Sequence, residues 1–162
     1  MKQSLVAMVL LPALSGASLA QELPVQKYLP LALAQQAAAA AVAACAAQGY
    51  KETVAVLDAD GVERVVLRGD GTGAHTINSA FRKAFTAATF GRPTSAWKAA
   101  VAQNPEIGNM QRIDNILFAG GGLPIRAGNE LVGAIGAAGA PGFEKDEACA
   151  QAGIDAIKDR LR

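Results

Sequence analysis

Four residues in the stretch HTINSAFRKAFTAAT could do chemistry together: His75, Ser79, Lys83 and Thr86. Spacings of four, four and three place them in one row along a helix, opposite Ile77, Ala84 and Ala88. A row of this kind offers an imidazole, two hydroxyl donors and a cation. Facing a pocket, Lys83 would hold a carboxylate, Ser79 and Thr86 would hydrogen-bond it, and His75 would act through a ring nitrogen. Facing water, the same row is a solvated helix surface.

Other constellations are weaker. Arg68 and Asp70 lie in RGDG just before that helix, where they read either as ligand contacts or as an exposed ion pair. Asp58-Ala59-Asp60-Gly61 resembles the start of a calcium loop, but such a loop needs glycine at position six and glutamate at position twelve, where this chain has Glu63 and Gly69. A turn is the better reading. The glycines of GAIGAAGAPG, Gly133 to Gly142, precede a helix as phosphate-binding loops do, yet Phe143-Glu144-Lys145-Asp146-Glu147 places three carboxylates where an anion would sit. They are better explained by a strand that approaches another backbone closely and then turns. No GxSxG elbow is present, and a Cys–His pair would need a free thiol.

The elements that must position these residues follow from pattern. Residues 1–20, MKQSLVAMVLLPALSGASLA, have the basic start, apolar run and small-residue end of a signal peptide, which predicts a periplasmic or secreted protein with no membrane insertion of the mature chain. Residues 21–30 form a lead and 31–162 a single domain. Removing the leader takes away Lys2 and no acid, leaving 14 basic against 14 acidic residues. That balance, with 5% aromatics, argues against a nucleic-acid partner.

Alanine and leucine from Leu31 to Gln48 predict a largely buried helix that stops at Gly49. Thr53 to Leu57 and Val62 to Arg68 form a hairpin around Asp58 to Gly61. Helices over His75 to Thr89 and Thr94 to Ala102, a loop over Gln103 to Asp114, and strands at Asn115 to Ala119, Gly122 to Arg126 and Glu130 to Ala137 come next. A last helix runs from Phe143 to Leu161. The order α-β-β-α-α-β-β-β-α, with hairpins instead of helical crossovers, is α+β with an antiparallel sheet of about five strands flanked by helices. In an oxidising compartment Cys45 and Cys149 are expected to pair, each lying in an Ala-Cys-Ala step four residues before a glycine on terminal helices that would pack side by side. The single histidine excludes multi-histidine metal centres.

ACAAQGYKETVAVLDADG, RGDGTGAH followed by RKAFTAATF, GGLPI, and GAIGAAGAPGFEKDEACAQAGIDAI together resemble the GlcG/HbpS-like haem-binding family, which includes the C-terminal domain of PduO-type proteins. The resemblance runs from about Leu31 to Ile157. It implies a profilin-like sheet, assembly into homo-oligomers and, in some members, haem as a bound small molecule, with no established reaction. The family's GxSGAPG pattern has serine where this chain has Ala138. For a haem ligand, His75 is the candidate axial donor and Lys83 the candidate partner of a propionate, with Met110, Tyr28 and Tyr50 as other conceivable axial donors. A second class of ligand, a 2-hydroxy acid, aldehyde or diol of periplasmic alcohol or glycolate oxidation, stays open. In that reading Lys83 fixes the carboxylate or carbonyl and no iron is involved.

Overall fold

The computed structural model describes residues 21–162, so the expected leader lies outside the described residues. The elements are α1 (Leu31–Ala46), β1 (Thr53–Asp58), β2 (Glu63–Arg68), α2 (His75–Phe90), α3 (Ala96–Gln103), a 3-10 helix (Pro105–Arg112), β3 (Gly122–Ala127), β4 (Glu130–Ala138), α4 (Phe143–Asp155) and a closing 3-10 turn (Lys158–Arg160). The four strands form one antiparallel sheet in the order β2-β1-β4-β3. The architecture is the expected α+β, with α2 on one face and α1 with α4 on the other.

β1 explains the layering. All six of its residues are buried, with Val54 and Val56 packed among residues of α1 and α4, and Ala55 and Leu57 among residues of α2. Alternation along a central strand thus feeds two cores. The glycines of β4 let α2 lie directly on the sheet, since a Cβ on Gly136 would come 2.1 Å from the Ala80 carbonyl oxygen and 2.6 Å from the Ala84 nitrogen. The close backbone approach read from GAIGAAGAPG is therefore present. It continues at Gly139, where φ is +140° and a Cβ would sit 2.2 Å from the Lys51 carbonyl oxygen.

The sheet has four strands, not five. Asn115 to Ala119 is irregular because Asn115 has a φ of +66° and side chains take its amides: Leu117 N–H donates to Thr86 Oγ1 at 2.8 Å and Phe118 N–H to Gln111 Oε1 at 3.1 Å. A segment whose donors are spent on side chains cannot add to a ladder. Phe118 instead stacks on Trp97, with centroids 4.5 Å apart, and so fastens α3 to this segment. The loop expected over Gln103 to Asp114 contains a 3-10 helix, begun by Pro105 and capped by Asn104 Oδ1, which accepts from Glu106 N–H.

Two helices differ from expectation. α1 buries one face only, through Leu33, Ala34, Ala37, Ala38, Ala41 and Cys45. Its outward alanines serve helix propensity, so an apolar composition overstates its burial. α4 ends at Asp155, after which the chain tightens into a 3-10 turn that still delivers Ile157 and Leu161 to the core. Cys45 and Cys149 are bonded, with Cα atoms 5.6 Å apart, and staple α1 to α4 as expected. Among the described residues no helix is long and apolar enough to cross a membrane.

Candidate functional site

α2 carries the chemical row from the surface to the interior. His75, at its first turn, is exposed, and its ring lies over Gly73, where a Cβ would meet Cε1 at 2.7 Å. Ser79 is half-buried and donates to the His75 carbonyl oxygen at 3.2 Å. Lys83 is 2% exposed and donates to Asp146 Oδ2 and to the Ala137 carbonyl oxygen, the latter at 2.9 Å. Thr86 is fully buried, donating to the Arg82 carbonyl oxygen and accepting from Leu117 N–H, both at 2.8 Å. The row therefore does not line one pocket. Opposite it, Ala84 and Ala88 are buried, while Ile77 is 43% exposed.

Lys83 belongs to a buried ionic cluster that pattern reading misses. Asp146, 3% exposed in the first turn of α4, pairs with Lys83 and accepts from Ala140 N–H at 2.9 Å. The loop amide that a phosphate would need is thus already bonded within the protein. Glu52, 1% exposed, completes the cluster beside Asp146. Burial first, and the Asp146 charge second, push the Glu52 carboxyl up to about 8 from its ordinary value of 4.5, with the Lys83 charge opposing.

A raised carboxylate pKa has a definite sign. Between about 4.5 and 8 the native state holds a proton that the unfolded chain has lost, so the contribution of Glu52 to stability, full below the lower value, falls as pH rises through the upper one. The slope approaches about 1.4 kcal/mol per pH unit for one proton. Urea unfolding of wild type and Glu52→Gln across this window checks it: the variant should lack this component and gain on wild type with rising pH. Parallel curves would contradict it.

Arg68, which ends β2, and Asp70, on the loop that leads to His75, are both exposed. The Arg68 guanidinium donates to the Thr72 carbonyl oxygen rather than pairing with Asp70. Lys51 Nζ reaches the same loop, 3.1 Å from where a Cβ on Gly71 would be. Beside them a cavity of about 450 Å³ is bordered by Val42, Ala46, Tyr50, Lys51, Arg68 and Asp70. Arg68 and Lys51 thus bring two cations to this cavity beside Tyr50, whose ring is 5.1 Å from Lys145 Nζ, whereas His75, further along the loop, does not border it. Tyr28 is 62% exposed in the lead and Met110 is half-buried in the 3-10 helix.

A larger groove of about 750 Å³ lies between α3 and α4, walled by Val101, Phe118 and Phe143 with Lys98, Glu144 and Glu147 around them. It includes none of the row on α2. No histidine, methionine, tyrosine or cysteine lines it. Ala138, where the family pattern has serine, is 3% exposed and packs with Ala55 and Ala80.

Known proteins share this fold. No curated protein matches the chain. A solved structure of a double mutant of HbpS from Streptomyces reticuli is 41% identical over 87% of this chain and 94% of its own, with a TM-score of 0.79. The ORFY protein of Klebsiella pneumoniae is 26% identical over 88% of this chain and 98% of its own, with a TM-score of 0.79. PduOC, solved as its haem complex, is 26% identical over 81% of this chain and 96% of its own, with a TM-score of 0.74. The family model described as haem degrading protein HbpS-like matches residues 29–155. With that span matched and a fold shared at these levels, the chain belongs to the HbpS-like family.

Proposed function

We propose that this chain is a haem-binding protein of the periplasm or cell exterior, a homo-oligomer that holds haem at the RGDGTGAH loop with His75 as axial ligand. The observation that carries the reading is His75 itself. It is the chain's one imidazole, it is exposed, and its ring has no hydrogen-bond partner among the described residues.

The surrounding residues fit the group. Arg68 on the same loop and Lys51 beside it would meet propionates, and Val42, Ala46 and Tyr50 of the neighbouring cavity, which His75 does not itself border, would offer apolar surface. Bound haem would supply a redox-active iron, while the protein's own part is to ligate, orient and neutralise. Family membership supports the ligand, and the expected leader supports the location. β2, an edge strand with Leu67 37% exposed and Val62 60% exposed just before it, supports contact with a second copy. The reading in which Lys83 fixes a metabolite carboxylate finds its ammonium already engaged by Asp146 and Ala137.

Hemin titrated into the apo-protein should give a shifted Soret band that saturates at a fixed stoichiometry, and light scattering on the same sample should give a mass above one chain. A band that grows without saturation would overturn haem binding. A single-chain mass would remove the oligomer.

A further inference from the structure

Among the described residues the interior holds a set of ligand-type atoms that the haem reading does not use. Sγ of Cys45, Sγ of Cys149 and a carboxylate oxygen of Glu52 all lie within 4.8 Å of one another. All three residues are buried, at 0%, 1% and 1% exposure. Glu52 Oε2 stands 3.5 Å from Cys45 Sγ. In the disulfide that sulfur has no proton to give, so this contact is not a hydrogen bond.

We infer that the reduced chain carries a zinc-type metal site built from the Cys45 and Cys149 thiolates and the Glu52 carboxylate. Zinc bonds of about 2.3 Å to sulfur and about 2.0 Å to oxygen at a tetrahedral angle put the ligand atoms about 3.5 Å apart along an S···O edge. The contact between Glu52 and Cys45 already has that length. Two thiolates in a tetrahedral site stand about 3.8 Å apart, also from those bond lengths. The sulfurs must therefore separate by side-chain rotation, which Cα atoms 5.6 Å apart allow.

A dithiol or phosphine reductant delivers two electrons to the S–S bond, and two protons convert it to two thiols. The metal then displaces those two protons, and the carboxyl proton where Glu52 carries one, and water fills the fourth position. Thiolates with one carboxylate suit a borderline ion such as Zn²⁺ over Ca²⁺ or Mg²⁺. The same pair of helices, α1 and α4, is tied by a disulfide under oxidising conditions and by a metal under reducing ones.

The test uses the chain purified with its thiols reduced by a phosphine, titrated with Co²⁺ and then with competing Zn²⁺. The expected result is one Co²⁺ per chain with a thiolate-to-cobalt charge-transfer band and tetrahedral visible bands, discharged by Zn²⁺, while the native near-ultraviolet circular dichroism is kept. The oxidised chain should show none of this. Glu52→Gln, which keeps both thiols, should weaken Co²⁺ binding at least tenfold, and Cys149→Ser should abolish the two-thiolate band. Absence of the band in reduced, folded chain would overturn the site. So would equal affinity in the Glu52→Gln variant, or binding only by chain that has lost its native dichroism.

Discussion

Replacing Lys83 by methionine should cost about 3–5 kcal/mol of stability at pH 7, the expected penalty for stranding one member of a buried ion pair. The substitution keeps a long apolar stem but leaves Asp146, 3% exposed, with Ala140 N–H and no cation. Adding Asp146→Asn should restore most of the loss, because the amide oxygen still accepts from Ala140 and no charge remains to be compensated. Urea unfolding of the two variants measures both numbers. A single-mutant loss below about 1 kcal/mol would mean that the pair is solvated or dispensable. A double mutant no more stable than the single would mean that the damage comes from lost packing instead of lost charge.

The second large effect is expected from the disulfide. Cys45 and Cys149 are separated by 104 positions, so the bond closes a loop of about 100 residues, for which chain entropy gives about 4–5 kcal/mol. Changing both to alanine should lower Tm by roughly 10–15 °C for a domain of this size. The folded α1 and α4 should remain packed, because Ala37, Ala41 and Ala150 bury the same interface without the sulfurs. Calorimetry in the presence and absence of reductant checks it: wild type under reductant should move toward the double variant. A shift under about 3 °C in the variant would show that the unfolded chain gains little freedom from losing the staple.

Much of the fold is legible because its signals are local. The hairpin at Asp58 to Gly61, the starts of α1, α2 and α4, and β3 and β4 all announce themselves by turn residues and by period. Asn115 to Ala119 misleads because its apolar residues look like a strand, whereas the partners that hold it, Thr86 and Gln111, lie elsewhere in the chain. The candidate site is legible only in part. Spacing puts Lys83 and Thr86 on the row with His75, but spacing cannot say how far a helix sinks along its length. α2 is exposed at His75 and covered at Lys83, so one row has two environments. Glu52 leaves no trace in the pattern: a single acid before a strand has no period, and its partner Asp146 reads as one of three charges complementing a helix start. Only the tertiary meeting of β1, α2 and α4 gives those two carboxylates a role.

The measurement that bears most directly on haem binding at His75 is a hemin titration of wild type beside His75→Ala, followed in the Soret region. His75 is exposed and makes no side-chain hydrogen bond among the described residues, so the variant should fold as wild type does and any difference reports on ligation. Wild type should show a saturating, shifted band, and the His75→Ala variant should lose that band or bind at least tenfold more weakly with an altered spectrum. Identical spectra and affinities in the two proteins would contradict His75 as the ligand, and no saturable band in either would contradict haem binding by this chain.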